Sequence, residues 1–150
     1  MRKQRYFILL SLFFILFFLL SCDAFSDLKD CICSSEFRIY TVTVTNQNKQ
    51  PLDSLRVRIY NPTSGKEFDI DQDYASYEQG LYVVMTDAYT HKLQEGGEPV
   101  RFEAENDTLM AYGEFYFKTD ECRCHVEKVS GQDTLYSFKK QSNNDGIRWK

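Results

Sequence analysis

Cysteine and histidine side chains form two short clusters whose chemistry suits either cross-linking or metal binding. Cys31 and Cys33 are separated by one residue, and Cys122 and Cys124 repeat this spacing far along the chain, with His125 directly after them. Four thiolates, or three thiolates and an imidazole, make a zinc ligand set. Structural zinc sites usually place two to four residues between paired cysteines, so the single-residue spacing favours disulfides.

The pairing of these cysteines depends on the direction of the two segments. Sulfurs two residues apart on one strand lie too far apart to bond without strain, so each pair is expected to bond to the other. Antiparallel segments would join Cys31 to Cys124 and Cys33 to Cys122. Parallel segments would join Cys31 to Cys122 and Cys33 to Cys124. The antiparallel form is favoured because antiparallel neighbours dominate all-β proteins.

Histidine and acidic residues are the remaining candidates for chemistry. On a strand, His125 would point away from Cys124, which makes the two a poor base and nucleophile. Asp69, Asp71 and Asp73 have the first spacings of a calcium loop, but an EF-hand needs Gly and Glu where this chain has Tyr74 and Gly80. We therefore predict no catalytic residue, no metal and no cofactor. A zinc, calcium or hydrolytic site is the alternative.

The N-terminus carries a targeting pattern. Residues 1–5 hold three positive charges, and residues 6–20 are apolar or aromatic except for Ser11. A helix of that length spans about 22 Å, short of the roughly 30 Å hydrocarbon core. Leu19-Leu20-Ser21-Cys22 resembles the bacterial lipobox. The resemblance implies a signal peptide over residues 1–21, lipid on Cys22 and a membrane anchor, since two or three acyl chains hold a protein stably.

Charge and length limit the function of residues 22–150. Removing the signal peptide leaves 15 basic against 22 acidic residues, a formal charge of −7. An acidic domain repels phosphate, so nucleic acid is not an expected partner. The length fits one domain after a short tether at residues 22–35. A polar tail is expected at residues 139–150.

Alternating apolar and polar residues predict strands along the domain at residues 36–138. Leu55, Val57 and Ile59, for example, alternate with Arg56, Arg58 and Tyr60. Polar turns separate such runs, and no amphipathic helix is evident. The pattern predicts an all-β fold, a single antiparallel β-sandwich of about seven strands, transthyretin-like or Ig-like. The expected strands cover residues 36–45, 54–60, 66–70, 81–86, 99–105, 108–118, 122–129 and 134–138.

Several short motifs resemble a known envelope module. Thr43-Val44-Thr45, Gln50-Pro51-Leu52, Val57-Arg58-Ile59 and Gly65 resemble the opening of carboxypeptidase regulatory-like domains, which are common in envelope proteins of the Bacteroidota. Gly80-Leu81-Tyr82-Val83-Val84 is similar to their Gly-x-Tyr strand. The resemblance covers residues 37–130. It implies a transthyretin-like sandwich in the cell envelope and brings no catalytic residue.

Three tripeptides predict modification in such an organism. Asp53-Ser54-Leu55, Asp107-Thr108-Leu109 and Asp133-Thr134-Leu135 resemble the Asp-Ser/Thr-aliphatic motif that Bacteroidota O-glycosylate. Ser54, Thr108 and Thr134 are therefore candidate glycosylation sites.

Aromatic residues on a polar strand face are the strongest binding candidates. Tyr112 and Tyr116 share a predicted face with Glu114 and Lys118. Tyrosines with polar neighbours suit sugar stacking or a protein interface, although ordinary cross-strand pairs are the alternative. We predict a lipoprotein of the outer membrane or cell surface. Its domain would be a non-enzymatic binding or accessory module for a protein or glycan.

Overall fold

The structure, a computed structural model, describes residues 31–140. The chain divides into two units, Met1–Ile32 and Cys33–Lys150, and the described strands all lie in the second. No helix within residues 31–140 is both long and apolar enough to cross a membrane. The strands are β1 (Ile39–Thr45), β2 (Arg56–Tyr60), β3 (Leu81–Thr86), β4 (Glu98–Glu105), β5 (Leu109–Thr119), β6 (Val126–Ser130), β7 (Thr134–Tyr136) and β8 (Phe138–Lys139).

These strands form two sheets that pack together, which confirms the predicted all-β sandwich. One sheet has the order β3-β1-β7, and the other has the order β2-β4-β5-β6 with β8 paired to β5. The neighbours are antiparallel except β7, which runs parallel to β1. This exception arises because the chain leaves β6, crosses to the other sheet for β7, and returns to β5 as β8.

The core lies between the two sheets. Strands β4 and β5 bury every second side chain, as a strand with one solvated face must, whereas β3 is buried along almost its whole length. Aromatic rings join the sheets: Tyr82 lies 6.1 Å from Phe102, and Tyr40 lies 5.5 Å from Phe117, between ring centroids.

A side chain forms hydrogen bonds with the backbone at one outer edge of the three-stranded sheet. The Gln72 amide donates to the backbone oxygen of Val83 and accepts from the backbone nitrogen of the same residue, at 3.1 and 2.9 Å. Gln72 lies just before a 3-10 turn, Asp73–Ala75, within the stretch predicted to be a polar loop. The turn thus presents the glutamine to the middle of β3.

One predicted strand, residues 66–70, is wrong, and the strand predicted at residues 122–129 is wrong in its first part. Residues 66–70 form no strand; they make an isolated bridge between Tyr60 and Glu67 and backbone bonds to Ile59 and Asn61. Residues 122–125 form a turn, and β6 begins at Val126. Arg123 has a φ of 55°, which is incompatible with an extended strand, and the Asp120 carboxylate accepts the two following backbone N–H groups.

The last strand of the sandwich is β8. β8 carries Lys139 into the sheet, so the sandwich extends one residue past the expected boundary at 138. The predicted signal peptide, the lipidated Cys22 and most of the predicted tail lie outside the described residues. They stay predictions.

Candidate functional site

The exposed face of the five-stranded sheet orders its polar and aromatic side chains in rows. Strand register places residues of β2, β4 and β5 directly opposite one another. Each of the two central rows therefore combines a cation, an anion and an aromatic ring. The two central rows are Arg58–Glu103–Tyr112 and Tyr60–Arg101–Glu114.

Each tyrosine in these rows is covered on one face by an arginine. The guanidinium carbon of Arg58 lies 4.6 Å from the ring centroid of Tyr60, and that of Arg101 lies 4.7 Å from Tyr112. Phe138, from β8, meets Tyr112 edge-on at a centroid distance of 5.6 Å. Cation–π and edge-to-face contacts hold the rings in place before any ligand arrives.

Carboxylates fix the polar ends of the same side chains. The Tyr60 hydroxyl donates to Glu103 Oε1 at 2.8 Å, and Arg58 donates twice to Glu67 Oε1, at 2.8 and 2.6 Å. Burial and the bond to Glu103 raise the pKa of Tyr60, so its hydroxyl stays protonated. The hydrogen bond to Glu67 raises the pKa of Arg58, which therefore remains a cation.

These side chains surround a shallow groove of about 740 Å³. Its lining is rich in arginine, tyrosine, methionine and phenylalanine and has no lysine, which is the composition that distinguishes protein interfaces from ordinary surface. Tyr112 is 47% exposed and Phe138 43%. We call this surface the β5 groove; its lining is Arg58, Tyr60, Pro62, Arg101, Glu103, Met110, Tyr112 and Phe138.

The structure brings together some of the predicted binding residues and separates others. Tyr112 lines the β5 groove beside Tyr60, whose place on the polar face of β2 was expected. Tyr116 does not line it, because it lies half-buried further along β5, with its hydroxyl 3.4 Å from the carbonyl of Gly96. β8, which supplies Phe138, was expected only as part of one last strand.

The cysteine clusters are oxidised, but not in the favoured pairing. Cys33 bonds to Cys124 across a Cα separation of 5.4 Å, and Cys31 and Cys122 are also disulfide-bonded. The antiparallel pairing was therefore wrong, and the bond from Cys33 to Cys124 belongs to the parallel alternative. Neither segment is a strand, so no ladder register sets the pairing of the cysteines. Disulfide formation also removes the thiolates that the zinc alternative needs.

Next to this disulfide, three side chains form a continuous hydrogen-bonded relay. His125 Nδ1 lies 2.7 Å from Asp87 Oδ2, and His125 Nε2 lies 2.9 Å from the Ser34 hydroxyl. Asp87 also accepts the backbone N–H of Arg38 at 2.9 Å and that of Val126 at 2.7 Å. We call Ser34, His125 and Asp87 the Ser34 relay.

The electrostatics of the relay determine where its protons lie. Burial alone would raise the pKa of Asp87, but the hydrogen bonds from His125, Val126 and Arg38 outweigh burial and lower it. An ionised carboxylate can only accept, so His125 Nδ1 carries the proton. In the neutral imidazole, Nε2 is then the acceptor for the hydroxyl of Ser34. The relay starts at a carboxylate only 6% exposed and ends at an exposed serine.

Sequence reasoning missed this relay. His125 was expected to point away from the cysteines on a strand, and neither Ser34 nor Asp87 was singled out. The three residues are separated by 91 and 38 positions, and no local motif links them. The only available signal was the disulfide, because Cys33 precedes Ser34 and Cys124 precedes His125.

Among the described residues, the predicted calcium and glycosylation sites show no arrangement around a ligand. Asp71 accepts the backbone N–H of Asp73 and so shapes the turn, and residues 31–140 contain no cluster of three or more acidic, histidine or cysteine side chains placed to hold a metal. Ser54, Thr108 and Thr134 are all exposed. Glycosylation there stays a prediction.

No protein-family model, curated protein or solved structure matches this chain. The resemblance to carboxypeptidase regulatory-like domains therefore stays a prediction.

Proposed function

We propose that this protein is a lipid-anchored lipoprotein of the bacterial cell envelope that binds another protein through the β5 groove. The observation that carries the proposal is the pair of arginine-covered tyrosines, Tyr60 and Tyr112, in a groove left open on a sheet face. Rings held by their neighbours lose little side-chain freedom on binding, which favours affinity.

The chemistry of the groove favours a polypeptide partner over a glycan. Tyr112, Phe138 and Met110 offer apolar contact area, while Arg101 and Glu103 offer charges of both signs. Arginine and aromatic residues supply most of the strong contacts of protein interfaces. A partner segment with apolar and charged side chains would match this surface.

The cellular setting rests on separate support. The lipobox-like Leu19-Leu20-Ser21-Cys22 supports an anchor, and oxidised cysteines suit a compartment outside the cytoplasm. Cys22→Ser should leave an uncleaved precursor or a protein that no longer enters the detergent phase. Unchanged partitioning would contradict the anchor.

Photocrosslinking in intact cells tests the groove. A photoreactive amino acid at Tyr112 should form an adduct with one protein, whereas the same group at Tyr136 should not. Tyr136 is 50% exposed, close to the value for Tyr112, but lies on the other sheet in β7. Equal adducts at both positions, or none, would contradict a protein-binding groove.

A second pair of measurements separates the two partner classes. Tyr112→Ala and Arg101→Ala should each weaken capture of the crosslinked protein by about tenfold or more, as expected for central interface residues. Glycan binding that is lost in the same variants, without any protein adduct, would select the glycan alternative instead.

A further inference from the structure

Ser34 is the exposed end of the Ser34 relay and shares no residue with the β5 groove. We propose that Ser34 is a nucleophile for acyl transfer, with His125 as its general base and Asp87 as the residue that positions the base. The substrate class is a small carboxylic ester that reaches an exposed hydroxyl. This inference goes beyond the proposed binding function and does not depend on it.

The hydrogen-bond order of the relay is the order that such a mechanism needs. A serine hydroxyl is a weak nucleophile unless a neighbouring base takes its proton in the transition state. His125 Nε2 lies 2.9 Å from Ser34 Oγ, and its other ring nitrogen is held by Asp87 at 2.7 Å. Nucleophile, base and orienting carboxylate are thus in direct contact.

The surrounding covalent structure fixes the serine beside its base. The disulfide joins Cys33, directly before Ser34, to Cys124, directly before His125. On the other side of Ser34, the backbone of Arg38 makes one bond to the Asp87 carboxylate and another to the Asp87 backbone N–H. The segment that carries Ser34 is therefore held at both ends, although its surface is exposed.

The chemical step balances with water as the second reactant. Ser34 Oγ attacks the ester carbonyl carbon, and its proton passes to His125 Nε2. The bond from the carbonyl carbon to the leaving oxygen breaks, and Nε2 returns the proton to that oxygen, releasing the alcohol. Water then attacks the acyl-serine and gives a proton to Nε2. The carboxylic acid departs, and the proton returns to Ser34.

Acetylation of the full-length protein by p-nitrophenyl acetate tests the proposal. Intact mass and peptide mapping should find one acetyl group on Ser34. The rate should exceed that at Ser35 by about 100-fold, the lower end of what a positioned base contributes. Ser35 is a matched control because it is the next residue, is also a serine and is exposed.

Variants complete the test. Ser34→Ala should abolish the acetyl-serine and Ser35→Ala should not, and both positions are exposed, so neither change threatens the fold. His125→Gln should slow acetylation of Ser34 by about 100-fold, with circular dichroism reporting whether the domain remains folded. Should that variant unfold, the comparison of Ser34→Ala with Ser35→Ala decides alone. Equal labelling of the two serines, or labelling confined to lysines, would overturn the proposal.

Discussion

The β5 groove and the Ser34 relay both combine acidic groups with hydrogen-bond donors, yet they differ in how far their polar groups are exposed to water. In the groove, Arg58 and Glu67 bond while each side chain remains 59% exposed. In the relay, the Asp87 carboxylate is 6% exposed and accepts three protein N–H groups. Exposed pairs can exchange partners with water at little cost, whereas a buried carboxylate depends on its protein donors. The exposed ion pair at the groove can thus exchange with groups of a partner while the rings stay in place, and the relay is suited to hold a fixed geometry.

Removing the disulfides, one of which lies beside the relay, should have the largest effect. Cys33 and Cys124 lie 91 residues apart, and closing a loop of that length stabilises a fold by about 4 kcal/mol. Replacing Cys31, Cys33, Cys122 and Cys124 by serine should lower the free energy of unfolding by that amount in urea. Replacing only Cys33 and Cys124 should cost less, because Cys31 and Cys122 remain oxidised. Equal losses would contradict this.

Replacing one carboxylate in each region should give the next largest difference in the free energy of unfolding. Asp87→Ala leaves two backbone N–H groups and one ring N–H without their acceptor, and should destabilise the domain by about 3 kcal/mol. Glu114→Ala, in the groove rows, removes a 70% exposed partner of Arg101 and should cost less than about 1 kcal/mol. Urea unfolding measures both. Similar losses would remove the contrast between the regions.

Acid should distinguish the buried carboxylate of the relay from a partly exposed carboxylate outside it. Because the pKa of Asp87 is lowered in the folded state, the unfolded chain takes up its proton first as the pH falls. The stabilisation is present above about pH 4 and is lost as the pH falls through and below that value. Asp87→Asn should flatten this decline. Glu105, whose pKa a hydrogen bond from Lys140 lowers, is partly exposed, so Glu105→Gln should flatten it less.

The smallest expected effect is in the groove. A double-mutant cycle with Arg58→Ala and Glu67→Ala should give a coupling of about 0.5 kcal/mol, as exposed ion pairs do. A coupling several times larger would mean that this ion pair is held as firmly as the relay. Thermal or urea unfolding of the four proteins is the measurement.

Features that depend on interactions within one strand could be predicted from the sequence, whereas features that depend on pairing between distant strands could not. Alternation along β2 and β5 correctly placed Arg58, Tyr60 and Tyr112 on a polar face, because side chains on a strand change sides at every residue. The pairing of β2 with β4 and β5, which brings Tyr60 and Tyr112 into one groove, depends on register and could not be derived from either segment alone.

The relay shows where local reasoning ends. A strand was predicted at residues 122–129. On such a strand, His125 would point away from Cys122 and Cys124, and the register of a β-ladder would decide how the cysteines pair. A turn held by Asp120 replaced its first part, and Arg123 has a positive φ there. Asp87 directly follows β3. It contacts His125 only because the fold places the end of β3 beside the start of β6. Contacts of this kind depend on the assembled sandwich.

The side chain of Gln72 has a consequence for how copies of this protein meet. An unpaired strand edge can hydrogen-bond to the strand edge of a neighbouring molecule and so start aggregation. At the middle of β3, Gln72 already occupies both the amide and the carbonyl of Val83, and Glu78 accepts the N–H of Leu81 nearby. A neighbour's strand therefore finds no continuous row of bonding groups on this side. The Gln72 side chain therefore blocks the addition of another strand at the middle of β3.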